Sequence, residues 1–389
     1  MVSMLIGRSI NGGRVHPLKT ISPGVESIRS ADFLSDNCVP ACPEVVEAIF
    51  DHNVRNEPSY GDDSITEQAN TAMRELFKSD CQTFFVGSGV AANALSLAAV
   101  CPPYRSIICH EHAHVNRDEC GAIAFFTGGG GLLPCSGDHF KLTPEGIRAA
   151  ASSRHGIHCQ EPAAVTITQA TEAGTVYSIE ELRHLSRIIK ELGLFIHIDG
   201  ARLANAAAYL EVPISAIIAA VGADIISFGG SKNGLHLGEA IVIFNPALVQ
   251  GFRFRIKQSG HLISKMRFLS AGWLALLKDD LWLANAEKAN NAARFLAKQL
   301  GKIREINVAY PCQANFALIS APPAVISSIV AKLRWSTYRI ICDGTLRFVC
   351  SWCTSYDEID QLVTELKGIV ASTTATRPPK WDIAAGGGA

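Results

Sequence analysis

The chain lacks an excess of charge of either sign. Its 35 Lys and Arg are balanced by 36 Asp and Glu, a formal net charge of −1. Nucleic-acid binders carry a basic patch or stripe, so that class is excluded and the partner is read as a small molecule. Long apolar runs are missing too. The longest uncharged stretch, residues 81–104, is interrupted by Gly, Ser, Asn and Pro102-Pro103, which marks core rather than a membrane span. Within residues 1–30, Met4-Leu5-Ile6 is too short for a signal region. These features predict a cytoplasmic protein with an N-terminal arm at residues 1–30.

The cysteine density of a disulfide scaffold is missing as well: twelve in so long a chain of 389 residues do not make one. Cys109, Cys135, Cys342 and Cys350 fall in apolar segments read as strands, so buried free thiols are expected. Cys350-Ser351-Trp352-Cys353 has a redox or zinc spacing. Positions three apart on a strand face opposite sides and no second pair accompanies it, so no metal site is assigned.

What is present is apolar bulk. Hydrophobic residues make up 48% and charged ones 18%, which suits a large α/β enzyme with two domains. From 83 to 244, short apolar strands alternate with amphipathic helices, the mark of a mostly parallel sheet with helices on both faces. Strands are predicted at 83–86, 106–109, 163–168, 194–199, 224–228 and 240–244. A helix is predicted over 178–192, opened by the capping box Ser178-Ile179-Glu180-Glu181. Residues 252–300 read as a long helical stretch, with strands at 315–319 and 346–351 and helices at 322–333 and 356–370. The organisation predicted is an arm (1–30), a large domain (31–275), a smaller α+β domain (276–372) and a disordered tail (373–389).

The chemistry lies at strand ends. Ser227-Phe228-Gly229-Gly230-Ser231-Lys232-Asn233-Gly234 follows a buried strand, and His197-Ile198-Asp199-Gly200-Ala201-Arg202 ends another. The pair points to pyridoxal phosphate. Lys232 would hold the cofactor aldehyde as a Schiff base, and Asp199 would pair with the pyridine nitrogen. The small residues around the lysine are read as space for a flat ring. Val86-Gly87-Ser88-Gly89-Val90-Ala91-Ala92-Asn93 passes from strand to helix, so its backbone N–H groups can cup a phosphate. A dinucleotide-binding oxidoreductase is the rival from another class, but the turn lacks the third glycine of G-x-G-x-x-G.

His110, His112 and His114 alternate at the end of the next strand. In extended chain they would share a face and resemble a metal site, yet no acidic or cysteine partner has suitable spacing. A single imidazole stacked on the cofactor, His114, fits better. Arg202 and Arg347, the latter inside an apolar strand, suit a substrate carboxylate, because a guanidinium binds it by two parallel hydrogen bonds.

With these motifs in order, the chain resembles the low-specificity L-threonine aldolases of the β-eliminating-lyase group, fold type I pyridoxal-phosphate enzymes. The likeness spans about residues 32–370. It also rests on Phe33-Leu34-Ser35-Asp36-Asn37, Tyr60-Gly61-Asp62-Asp63, Asp118-Glu119-Cys120-Gly121, Thr168-Gln169-Ala170-Thr171-Glu172 and His261-Leu262-Ile263-Ser264-Lys265-Met266-Arg267-Phe268-Leu269-Ser270. The resemblance implies a seven-stranded, mostly parallel sheet. It makes Lys232 the Schiff-base residue and Asp199 the partner of the pyridinium, with His114 stacked on the ring as base or water orienter. Ser35, Arg202 and Arg347 would hold the substrate carboxylate, and Arg202 would also contact the cofactor. Ser88, Gly89 and Val90 would bind the phosphate, with Arg267 added by a neighbouring subunit. Glu172 stands where some relatives have a histidine near the substrate hydroxyl, and Tyr60 lies in a loop beside the site. A homodimer or homotetramer with shared sites follows, and the apolar stretch from 252 to 282 is read as interface.

Two positions depart from the family pattern. Val90 replaces the threonine usual in the phosphate turn, and His236-Leu237 is unusual after the lysine; His236 would face either substrate or a subunit contact. The reaction implied is retro-aldol cleavage of L-threonine, L-allo-threonine and related β-hydroxy-α-amino acids to glycine and an aldehyde. An aryl-serine aldolase, or another pyridoxal-phosphate β-eliminating lyase or racemase, is the alternative, because the bond held perpendicular to the ring decides which one breaks.

Overall fold

Periodic apolar strands separated by helices become, in the computed structural model, a sheet buried on both sides. The structure describes residues 33–153, 156–333, 339–340 and 344–375. The strands are β1 (Gln82–Val86), β2 (Arg105–His110), β3 (Gly131–Cys135), β4 (Glu161–Thr168), β5 (Phe195–Gly200), β6 (Ile225–Gly229) and β7 (Glu239–Ile243). They lie in the order β1-β7-β6-β5-β4-β2-β3. β7 is antiparallel to both neighbours, and the remaining pairs are parallel. Ile107 and Ile108, adjacent in β2, bury in two separate apolar clusters, as do Ile225 and Ile226 in β6. Alternating side chains thus feed a core on each face, which is why these strands read as continuous apolar runs.

The predicted strands are all present, with small shifts at their ends. β3 is the one the sequence hides: Gly128 to Gly131 precedes it and Pro134 lies within it. It is an edge strand, where a proline is tolerated because one side of the ladder is open. Ser178 caps the helix Ile179–Glu191 through the expected capping box.

A second sheet has the order β10-β11-β9-β8. Its members are β8 (Asn307–Val308), β9 (Phe316–Ser320), β10 (Arg339–Ile340) and β11 (Leu346–Val349), all antiparallel. The two-residue strands β8 and β10 carry no periodicity to be read in advance. Cys350 is buried just beyond β11 rather than within it, and Cys353 is exposed. Cys342, the predicted arm and residues 376–389 lie outside the described residues. The start of the predicted tail differs, since the helix Tyr356–Ala375 runs through 373–375.

The stretch 252–300 is not one helix but Phe252–Gln258, Arg267–Leu277 and Leu281–Leu300. Its apolar residues Phe252, Ile256, Leu269, Trp273, Leu276 and Trp282 are buried in the chain's own core. Burial within the chain accounts for these six residues, while Phe254 of the same stretch is exposed. Among the described residues no single helix is long and apolar enough to cross a membrane.

Candidate active site

Parallel strands deliver their C-terminal ends to one edge of the sheet, and that edge holds a cavity of about 630 Å³. Ser88, Gly89 and Val90 after β1, His114 after β2, Thr168 and Glu172 after β4, Asp199 of β5 and Lys232 after β6 all line it. Ser35 and Arg347 reach it from the segment before the first helix and from β11. Phe33 docks that segment by accepting the Val349 N–H at 2.7 Å.

Ser88 caps the helix Gly89–Val100, its Oγ accepting the Ala91 N–H at 3.2 Å. The N–H groups ahead of Ala91 have no intrahelical acceptor, which suits a phosphate. A Cβ at Gly89 would meet nothing within 4 Å. The Gly87 N–H is already taken by His261 Nδ1 at 3.1 Å.

Asp199 is buried in β5. Asn93 Nδ2 donates to its Oδ2 at 3.0 Å and the Ala201 N–H to its Oδ1 at 3.2 Å. Among the described residues no cation lies within ion-pair distance of it, so its direct partners are amide donors. A buried charge of this kind calls for a cationic partner, and a pyridinium nitrogen fits. Asn93 Nδ2 also donates to Glu119 Oε1 at 2.8 Å, and the same oxygen lies 2.8 Å from His114 Nδ1. Burial disfavours the His114 imidazolium, but the Glu119 hydrogen bond and the charges of Asp199 and Glu172 outweigh it and raise its pKa. The His114 N–H donates to Glu172 Oε1 at 3.1 Å. Burial, reinforced by Asp199, pushes the Glu172 carboxyl up.

Arg202 lines the cavity, yet its Nε and Nη2 both donate to Asp36, at 2.9 Å each. Asn315 Nδ2 adds a third bond to Asp36 at 2.9 Å. The Arg202 and Arg347 guanidiniums lie 5.0 and 5.5 Å from the centre of the Phe316 ring, so one aromatic face gathers two positive charges.

Several expectations change. The strand ends at His110, so the three histidines do not share a face. His110 Nε2 meets the Gly137 carbonyl at 3.1 Å, His112 stacks on Phe140 at 4.2 Å, and His114 turns to Glu119. The glycines beside Lys232 do not open space for a ring. A Cβ at Gly229 would collide with the Ala201 carbonyl and one at Gly230 with Trp273, so they allow close backbone packing. His236 packs against Gly272 and does not line the cavity. Tyr60, expected beside the site, does not line it; Arg267, expected from a neighbouring subunit, is likewise absent from the lining of its own chain's cavity. The Lys257 ammonium sits 4.4 Å over the Tyr60 ring, and the Arg267 guanidinium lies over Phe268 at 4.8 Å.

Asp36, Asn93, Glu119 and Glu239 have no role in the sequence reading. Asn93 has a usable signal: it is a buried amide within the apolar helix GVAANALSLAAV. Glu239, a charge opening the fully buried strand EAIVI, has another. Phe140, which lines the cavity with His112, has none, because its loop position is set by long-range packing.

The beta-eliminating lyase model matches residues 32–322. The low specificity L-threonine aldolase of Pseudomonas aeruginosa is 43% identical over 340 residues, covering 87% of this chain and 98% of that protein. The enzyme of the same name from a Pseudomonas sp. is 42% identical over 344 residues, 88% and 99% of the two chains. The structure of Leishmania major threonine aldolase superposes with a TM-score of 0.81 at 28% identity, covering 87% of this chain and 99% of that one. The fold is that of the type I pyridoxal-phosphate enzymes. The chain belongs to the beta-eliminating lyase family, with the low-specificity L-threonine aldolases as its relatives.

Proposed function

We propose that the protein is a pyridoxal-phosphate-dependent aldolase that cleaves L-threonine, L-allo-threonine and related β-hydroxy-α-amino acids to glycine and an aldehyde. The carrying observation is that Lys232, Asp199, His114, the Ser88-Gly89 turn, Arg202 and Arg347 line one cavity. Bound there, the cofactor supplies an electron sink for the breaking Cα–Cβ bond. Lys232 Nζ provides the covalent attachment, and the Asp199 carboxylate keeps a proton on the ring nitrogen. The helix N-terminus at Ser88, Gly89 and Val90 holds the phosphate. Arg347, with Ser35 and Arg202, orients the substrate carboxylate so that the Cα–Cβ bond is the one presented for cleavage. Glu172, made more basic by burial and by Asp199, and His114, with Nδ1 fixed by Glu119, are the groups that receive the β-hydroxyl proton or direct a water to it.

The reading keeps the large and small domains (31–275 and 276–372), the cytoplasmic location and a homodimer or homotetramer. In the assembly, Tyr60 and Arg267 would serve a neighbouring subunit's cavity. The Arg267 Nε is buried with no hydrogen-bond partner among the described residues, which suits an incoming phosphate.

The test is borohydride reduction of the holoenzyme followed by peptide mapping, together with aldehyde release from L-threonine. The pyridoxyl group should map to Lys232, and Lys232→Ala should lose the trapped cofactor and nearly all turnover. A label on another lysine would sink the assignment.

One observation favours an aryl-serine substrate as the second reading: His112 and Phe140 form a stacked wall in the cavity, backed by Tyr310 at 5.4 Å from Phe140. On that reading phenylserine outcompetes threonine in kcat/KM, and Phe140→Ala erodes the advantage. Equal preference in both enzymes would remove it.

A further inference from the structure

The antiparallel direction of β7 has a consequence at the site. Its first residue, Glu239, pairs with Val86 and Gly229, the last residues of β1 and β6, so a strand start is delivered to the edge where its neighbours end. Glu239 is only 7% exposed and lines the cavity together with Lys232. Its Oε2 accepts the Gly230 N–H at 2.5 Å, and the Ser231 N–H is a second donor to the carboxyl. Ser231 Oγ donates to the Gly238 carbonyl at 3.0 Å, closing the loop between β6 and β7. A buried carboxyl thus ties down the N-terminal side of the Lys232 turn, while Asn233 and Gly234 on its other side are held by bonds with Trp282, Asn285 and Cys42.

We propose that Glu239 is the positioning residue for Lys232, anchoring its turn through Gly230 and Ser231 and supplying the negative charge against which the lysine nitrogen gains and loses its proton. The proposal rests on Lys232 being the cofactor-bearing residue. Burial pushes the Glu239 carboxyl up to about 7, and the backbone donors and the Lys232 charge pull against that rise. The groups facing Glu239 across the sheet are Val86 and Gly229, neither titratable, and Lys232 is the charged group that acts on it. The Lys232 charge lowers the Glu239 carboxyl, so the two groups that share the cavity act on each other.

The experiment is a spectral pH titration of lysine-bound cofactor in wild-type and Glu239→Gln holoenzyme. Glutamine keeps an oxygen for the Gly230 N–H but removes the charge. The variant should still trap cofactor on borohydride treatment, while its titration midpoint moves down by about one pH unit, the low end of the effect of a nearby opposite charge. An unchanged midpoint with trapping intact overturns the role of Glu239. Failure of wild-type trapping at Lys232 overturns instead the reading on which it rests. If Glu239→Gln does not fold, infrared titration of wild type against Lys232→Ala reads the same coupling. Loss of the lysine should raise the pH at which a buried carboxyl protonates, and an unshifted carboxyl band overturns the proposal.

Discussion

Asp36 grips Arg202 through two parallel hydrogen bonds of 2.9 Å, bridging 166 positions of sequence, with both side chains buried. The arginine is thereby aimed and half spent. Its Nε and Nη2 are committed to Asp36, and Arg347 is the other guanidinium that lines the cavity.

Asp36→Asn should destabilise the fold by about 3–5 kcal/mol, the usual cost of leaving one member of a buried ion pair without its partner. Burial alone would raise the Asp36 carboxyl. The charges of Arg202 and Lys232, with hydrogen bonds from Asn315 and Arg202, outweigh it and hold its pKa below the ordinary 3.8. A depressed carboxylate contributes stability above its unfolded pKa and loses it as pH falls through the folded one. Denaturant unfolding from neutral pH down to acid should therefore show part of the wild-type acid loss missing in the variant. Superimposable curves would mean the pair contributes nothing.

Asp199→Asn should keep the fold and cofactor trapping while kcat falls on the order of hundredfold or more, the scale of losing a major electrostatic contribution. An amide cannot hold a proton on the ring nitrogen as a carboxylate does. Turnover of L-threonine close to wild type would show that the nitrogen is not paired with this residue.

Arg347→Lys should raise KM for every amino-acid substrate with a smaller effect on folding. A point charge cannot reproduce two parallel hydrogen bonds, nor stack on Phe316 as a flat guanidinium does. Steady-state kinetics across several β-hydroxy amino acids would check it. Unaltered KM values would move the carboxylate contact elsewhere.

Glu119→Gln should lower the pKa of His114. The amide oxygen can still accept from Nδ1, but the charge that supports the imidazolium is gone. A raised histidine pKa adds stability below the unfolded value and loses it as pH rises through the folded one, so the variant should also lose stability on the acid side. NMR titration of the His114 ring reads the shift directly; an identical midpoint in the two proteins would rule out Glu119 as its cause.

Local pattern was enough for much of this protein. Strands such as β4 and β6 announce themselves as apolar runs, and Ser178 to Glu181 announces a helix start, because periodicity and capping are settled within a few residues. Lys232, Asp199 and the Ser88-Gly89 turn, which meet in one cavity, stood out for the same reason: each lies in a short segment at a strand end. Contacts between segments were not legible. Asn93 ties Asp199 to Glu119 and so to His114, Asp36 claims Arg202, and His112 finds Phe140 only after the sheet is assembled. The reversed direction of β7, which carries Glu239 to Lys232, is likewise invisible in an apolar strand, since its side-chain alternation reads the same in either direction. The sequence by itself determined the strands, the helix starts and the strand-end segments that line the cavity. Tertiary structure decided which buried polar group answers which, because a buried donor or acceptor is satisfied by whatever the fold brings within about 3 Å, however distant in the chain.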